Sequence, residues 1–245
     1  MRTSFGPVAA HYDLLMSHVP YDLWVDYYEL LLAQLGQRPV KVLDVCCGTG
    51  IVAELLDQKG YQVTGFDISE QMILEARRKS AQTHNNVRYH VADAAELDLN
   101  ESFEGAYSFF DSLNYIIEPD RLALAIRQTA KHLELGASFV FDVNTAYAFE
   151  KNMFDQSEDS PSSEIRYHWV GDYNAKTRLI TVDMQFERDG VQFNEVHVQR
   201  AYETDQLVDF LEEAGFGQIR IFDSYTLNPP RKKSDRLHFV AVRTS

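Results

Sequence analysis

The chain has 245 residues, of which 45% are hydrophobic and 24% charged, and its formal net charge is −14. That length suits one α/β domain with a proper core, or one carrying a sizeable insertion, and so acidic a surface argues against nucleic acid, whose phosphates are usually met by Lys and Arg. No apolar run approaches the roughly 20 residues of a membrane span, and Met1 to Pro7 lacks the apolar stretch of a signal peptide, so the expected compartment is the cytoplasm with no membrane partner.

Residues 1–38 precede the first strand pattern and read as helical, with aromatic residues at Tyr12, Tyr21, Trp24, Tyr27 and Tyr28. From residue 40 short apolar runs alternate with helical patterns, the signature of βαβ units and a parallel sheet. Val40 to Val45 is the first strand, and Ile51, Val52, Leu55 and Leu56 then recur at helical spacing up to Gly60. Val63 to Phe66 is the second strand, closed by Asp67, and Ser69 caps a helix running to about Ser80. Further strands are predicted at Val87 to Val91, Ala106 to Phe110 and Ser138 to Val143, with an amphipathic helix from Arg121 to Leu133 stopped by Gly136.

After residue 146 the register changes. Lys151 to Glu164 is polar and reads as a mobile loop. Ile180, Val182, Met184 and Phe186 alternate with polar residues, and Asp189-Gly190 turns the chain into a return strand from Val191 to Tyr202. Apolar parity changes between Phe193 and Val196, which predicts a β-bulge near Asn194. A helix from about Thr204 to Ala214 and strands around Ile219 to Phe222 and Leu237 to Val242 close the chain.

The chemistry concentrates at the first turn, Asp44-Val45-Cys46-Cys47-Gly48-Thr49-Gly50. A strand running through small residues into a helix aims backbone N–H groups and a helix N-terminus at whatever lies above it. Asp67, at the end of the second strand, stands where a carboxylate can reach ribose hydroxyls. The third glycine of a dinucleotide fingerprint is absent, and Asp44 would meet a pyrophosphate unfavourably. The two cysteines, adjacent and the only ones in the chain, are too close to bridge, since neighbouring Cα atoms are only about 3.8 Å apart. No histidine pair lies near them at ligand spacing, so no metal site is expected.

These residues resemble the class I S-adenosylmethionine-dependent methyltransferases along almost the whole chain. Val42 to Gly50 is similar to the first motif of that family, with Cys46 in place of its first glycine. Gly65 to Ser69 with Met72, then Ala92-Asp93-Ala94, then Phe109 to Tyr115, resemble the second, third and fourth, and Leu211 to Phe216 the approach to the last hairpin. The nearest likeness is to small-molecule enzymes similar to glycine N-methyltransferase and the sugar-amine N-methyltransferases.

The resemblance implies an α/β, Rossmann-like, seven-stranded, mostly parallel sheet with helices on both faces. It also implies a helical lid segment at 1–38, a core at 39–146 and 203–245, and an antiparallel β insert at 147–202 acting as a substrate lid. The cofactor would be S-adenosyl-L-methionine. Asp44 and the backbone of Cys46, Cys47, Gly48 and Gly50 would hold its methionine part, Asp67 its ribose, Ile68 and Met72 its adenine, and Asp93 and Ala94 the amino edge. Phe110 and Asp111 would meet the ammonium, while Tyr12 and Trp24 would line the sulfonium. The partner is a small-molecule acceptor, methylated on nitrogen or oxygen; the oligomeric state stays open, a homo-oligomer included. Methyl transfer from a sulfonium asks chiefly for alignment and a dry site, plus a group to take the acceptor's proton. Asp111, Asn114 and His168 are the catalytic candidates, with Asn114 and His168 expected to face the acceptor, and Tyr115, His197 and Arg200 would contact it. A non-catalytic cofactor-binding domain and an NAD-linked oxidoreductase are the alternative readings.

Overall fold

The computed structural model describes residues 5–245. Its centre is a seven-stranded sheet with the order β10-β11-β5-β4-β1-β2-β3. The strands are β1 (Lys41–Val45), β2 (Gln62–Asp67), β3 (Arg88–Val91), β4 (Phe103–Ser108), β5 (Leu133–Asn144), β10 (Phe216–Asp223) and β11 (Arg236–Arg243). β11 runs antiparallel to both neighbours, and the other pairings are parallel. Parallel strands need crossovers, and these cover both faces of the sheet. On one face Leu43, Val45, Phe103 and Phe139 pack with Leu122 and Ile126 of α5 (Pro119–Lys131) and Leu207 and Leu211 of α7 (Thr204–Glu213). On the other, Val42, Val63, Tyr107 and Val140 pack with α2 (Tyr21–Gln34), α3 (Ile51–Gln58) and α4 (Glu70–Thr83). The chain winds one way from β1 to β2 and the other way to β4, so a crevice opens at the C-terminal ends of β1 and β4, where ligands of such sheets bind.

A second sheet, of order β6-β7-β8-β9, is formed by Gln156–Glu158, Arg166–Asn174, Leu179–Arg188 and Val191–Arg200, all pairings antiparallel. Ile180, Val182, Met184 and Phe186 bury one face of it against Val8, Leu15 and Met16 of the N-terminal segment and Phe149 of α6 (Ala146–Glu150). Asp189 and Gly190 both take positive φ, 52° and 75°, the type I′ geometry that a two-residue hairpin requires.

Four expectations need correction. The β8–β9 register runs without a shift from Leu179↔Arg200 to Arg188↔Val191, so there is no bulge at Asn194. The apolar parity changes because Glu195, His197 and Gln199 are the buried residues of β9. Lys151 to Glu164 is not loop throughout, since Gln156–Glu158 forms β6 against β7. The fourth strand ends at Ser108, because Phe110 and Asp111 both adopt positive φ and turn the chain away. The helix expected to stop at Gly136 ends at Lys131, and Gly136 lies inside β5, in a stretch where the pairing with β4 slips.

Gly50 is the residue on which the turn into α3 closes. Its φ is +79°, and a Cβ there would overlap the Tyr89 ring, whereas a Cβ at Gly48 would meet nothing within 4 Å. Gly50→Ala is therefore expected to lower unfolding free energy by roughly 1–3 kcal/mol through overpacking and backbone strain together. Gly48→Ala should cost about 1 kcal/mol, from its positive φ alone. Urea denaturation of the two variants side by side checks the order.

Candidate functional site

The β1–α3 loop is held from below by its own small side chains. Cys47 N–H donates to Phe66 O at 2.9 Å. Its Sγ fills the space that a Cβ at Gly65 would enter, 2.9 Å away, so Gly65 is bare to make room for it. Cys46 has φ +62°, a left-handed conformation that costs a non-glycine residue roughly 1–2 kcal/mol. Burial pushes both thiols well above their usual range, so neither is a thiolate nucleophile. Among the described residues no cluster of three or more His, Cys, Asp or Glu could hold a metal ion.

The loop is tied sideways as well. Gly48 N–H donates to Asp67 Oδ2 at 2.9 Å, and Ser69 N–H to Asp67 Oδ1 at 2.8 Å. Thr49 Oγ1–H donates to Asp13 Oδ1 and Lys79 Nζ to Asp13 Oδ2, both at 2.6 Å, which joins the N-terminal segment to the loop and to α4. Burial pushes Asp44 up to about 8, and the charge of Asp67 adds to the shift. Burial raises Asp67 too, although the Ser69, Gly48 and Ile68 amides work against it. Beside Asp67, Ile68 is 56% exposed while Met72 lies in the core. Asp93 accepts from Ala95 N–H at 2.9 Å and pairs with Arg121 at 2.5 Å, next to buried Ala94.

At the end of β4, Asp111 is buried and fully engaged. Its N–H donates to Asp142 Oδ2 at 3.0 Å, Arg236 Nη2 donates to its Oδ1 at 2.8 Å, and Gln199 Nε2 to its Oδ2 at 2.7 Å. Arg236 also pairs with Asp142 and lies over the Trp24 and Phe110 rings at 6.0 and 5.9 Å. Burial raises Asp111 against the pull of Arg236.

Over this network lies the inner face of the second sheet. His197 Nε2 is 2.7 Å from Glu195 Oε2, and its Nδ1 is 3.0 Å from Tyr115 Oη. Glu195 accepts from Val8 N–H at 2.8 Å and Phe5 N–H at 3.0 Å. Burial acts against this carboxyl, but the hydrogen bonds from His197, Val8 and Phe5 hold it below its usual range. The Phe5 ring sits 4.4 Å from His197, 5.1 Å from Tyr115 and 5.8 Å from Tyr12, centroid to centroid.

Of the predicted residues, Tyr12, Phe110, Asp111, Tyr115 and His197 come together beneath the second sheet, and Asp44, Cys46, Cys47, Gly48, Gly50, Asp67 and Ile68 lie on or beside the adjoining loop. Three others are misplaced. Asn114 is inaccessible, with Nδ2 donating to Asn144 O and Arg200 O and Oδ1 accepting from Asn144 N–H, so it pins the second sheet to β5 and does not face an acceptor. His168 is exposed and pairs across to Gln185, on the face of the sheet opposite the buried row. Arg200 donates to Ile117 O and Thr177 O and is not aimed at a ligand carboxylate. Trp24 is buried among Tyr21, Phe110 and Tyr225. Sequence reasoning missed Phe5, Glu195, Gln199, Arg236 and Asp142. For Asp142, Glu195 and Gln199 the signal was a charged or amide residue at an inward strand position, in Phe141-Asp142-Val143 and in the Glu195, His197, Gln199 stride; Phe5 and Arg236 carried no such signal.

Because Asp44 holds its proton more tightly folded than unfolded, the native state binds more protons between about pH 4 and pH 8, and stability falls as pH rises through that window. Asp44→Asn is expected to flatten this fall and to raise unfolding free energy near pH 8 by roughly 1–3 kcal/mol, read from urea titrations at both ends of the window. Asn114→Ala is expected to cost about 1–3 kcal/mol at either pH, because it strands buried partners.

A methyltransferase-domain family model matches residues 42–136. The chain is 32% identical to a protein of Geobacillus sp. (strain WCH70) assigned as a methyltransferase, over 98% of this chain and 100% of that one. Its fold matches the S-adenosylmethionine-dependent methyltransferase from Clostridium acetobutylicum ATCC 824 with a TM-score of 0.86 and 25% identity, over 99% and 100% of the two chains. The sugar N-methyltransferase KedS8 from Streptoalloteichus sp ATCC 53650 shares the fold, with a TM-score of 0.78 and 20% identity over 96% and 93%. Among the described residues no helix is long and apolar enough to cross a membrane. With a switch-point crevice, a small-residue loop and a carboxylate closing β2, the chain belongs to the class I S-adenosylmethionine-dependent methyltransferase family, and it is an enzyme that takes its methyl group from that cofactor.

Proposed function

We propose that the enzyme methylates a nitrogen, or failing that an oxygen, of a small-molecule acceptor held between the sheet ends and the inner face of β6–β9. The observation that carries this reading is the cluster of aromatic and polar side chains gathered between the sheet ends and the second sheet. Phe5 packs on Tyr12 and Tyr115 there, and the Phe5 and Val8 amides tie the N-terminal segment over the cluster through Glu195. A region covered by the chain's own N-terminal segment suits a small molecule better than a protein side chain or a nucleic acid. Gln199 Oε1 is buried there without a partner, ready to accept from an N–H or O–H. Two buried carboxylates, Asp111 and Asp142, share one guanidinium, and the excess negative charge favours a cationic or amine-bearing acceptor over an anionic one.

The residues of the loop fit the cofactor's chemistry. Asp44 is a buried carboxylate raised by burial for want of a cation, Asp67 presents a carboxylate at the end of β2, and Ile68 is a large apolar side chain left exposed beside it. On this reading Asp44 and the Cys46–Gly50 backbone hold the methionine end and Asp67 the ribose, while Ile68 with Met72 flanks the adenine and Asp93 with Ala94 meets its amino edge. S-adenosylmethionine supplies a methyl group already activated by the sulfonium charge. The protein's task is then to align the acceptor and exclude water, and correct orientation is worth on the order of 7–11 kcal/mol in favourable intramolecular cases. The N-terminal segment at 1–38 and the insert at 147–202 act as the two halves of the lid. Asp13 fastens the first half to the loop, and Glu195 fastens it to the second.

Asp67→Ala is expected to weaken S-adenosylmethionine binding at least tenfold in calorimetry, with the fold retained by circular dichroism. Unchanged affinity removes Asp67 from the ribose position. Cys46→Gly and Cys47→Ala are expected to keep cofactor affinity within a few-fold, since their sulfurs are protonated and packed; loss of turnover with intact binding and fold returns the sulfur to the chemistry.

A further inference from the structure

We propose that Tyr115, His197 and Glu195 form a proton relay that takes the acceptor's proton during methyl transfer, and that the relay is complete only when the N-terminal segment is closed. The inference rests on the small N–H or O–H acceptor of the preceding section and adds to it the group that receives the proton.

The hydrogen-bond inventory assigns the direction. Glu195 accepts two backbone N–H groups and lies 2.7 Å from His197 Nε2. A carboxylate cannot donate, so His197 carries a proton on Nε2, and as a neutral imidazole it offers a lone pair at Nδ1. Tyr115 Oη, 3.0 Å from Nδ1, must then donate to it. The Gln199 side chain hydrogen-bonds one side of the same hydroxyl, which leaves one lone pair to accept from a third group. On the proposed reading that group is the acceptor: Tyr115 keeps partial accessibility, and Ser112, on the same turn, bonds Cys46 O of the cofactor loop.

Burial raises the Tyr115 phenol far above its usual range, so it does not ionise alone. It passes a proton on. As the acceptor's lone pair bonds the methyl carbon, the C–S electron pair returns to sulfur and the acceptor's proton moves to Tyr115 Oη. The phenolic proton moves to His197 Nδ1, and the imidazolium is neutralised by Glu195. The charged and titratable groups facing the relay are Glu195 beside His197 on β9, with Asp111 and Tyr12 beyond Tyr115; β8 opposes His197 with Val182, which carries no charge. Phe5, tilted against the imidazole with ring centroids 4.4 Å apart, keeps water off it. Opening of the N-terminal segment removes Phe5 together with the Phe5 and Val8 amides, and the proton can then leave to solvent.

The test uses the full chain with S-adenosylhomocysteine bound for nitrogen NMR of labelled histidine. It also uses radiolabelled methyl transfer from S-adenosylmethionine to a panel of small amines, amino sugars, phenols and hydroxy acids. His197 is expected as the Nε2–H tautomer; the opposite tautomer overturns the relay. His197→Gln preserves a donor toward Glu195 and an acceptor toward Tyr115 but cannot take a proton. It should keep the melting temperature and acceptor KM, lose about 10²–10⁴-fold in kcat, and lack the rise of kcat with pH that the relay gives the wild type. If H197Q does not fold, Tyr115→Phe carries the same expectation. Wild-type kcat and pH dependence in a folded variant overturn the relay while leaving the small-acceptor reading intact. A wild-type enzyme that methylates nothing on the panel overturns that reading, and the relay with it.

Discussion

The site depends on one buried ion pair, Asp111 with Arg236. Removing two charges from water costs several kcal/mol per ion unless geometry and further hydrogen bonds offset it, and here they do: Asp142, Gln199 and the Asp111 amide complete the coordination. The partners come from four places, the end of β4, β5, β11 and β9, so satisfying one carboxylate fixes how the second sheet sits over the first. Asn114 repeats the principle a turn later, with its amide spanning β5 and β9. A change that unpairs Asp111 therefore also loosens the contact between the two sheets.

The parallel core was legible in the sequence because its period is unambiguous. Val42, Leu43 and Val45 form a near-continuous apolar run, and Ser69 caps α4 as its side chain announces. The cofactor loop was legible for a different reason, that few residue types tolerate its backbone. The acceptor side was not, because its logic inverts the usual pattern. On β9 the inward residues are Glu195, His197 and Gln199, while Val196 is exposed. A reading by hydrophobic parity takes that as a register error and supplies a bulge. His168 was favoured over His197 for the same reason: nothing local distinguishes an exposed histidine on a strand from a buried one, and only the pairing of β7, β8 and β9 does. Arg200 looked free because its partners, Ile117 O and Thr177 O, are backbone atoms with no sequence signature.

Electrostatics gives the two halves of the site a common sense. Burial raises the carboxyls of Asp44, Asp67 and Asp111, which means that each lacks enough positive charge nearby to offset its desolvation. A site under-neutralised in this way gains most from a cationic occupant. On the proposed reading the methionine ammonium and the sulfonium supply that charge, and because Asp44 keeps its proton up to about pH 8 in the free protein, binding of the cation draws that proton off. After transfer the sulfonium is gone and sulfur is neutral. The same three carboxyls then hold the product less firmly than the substrate, so the electrostatic deficit that aids binding also aids release.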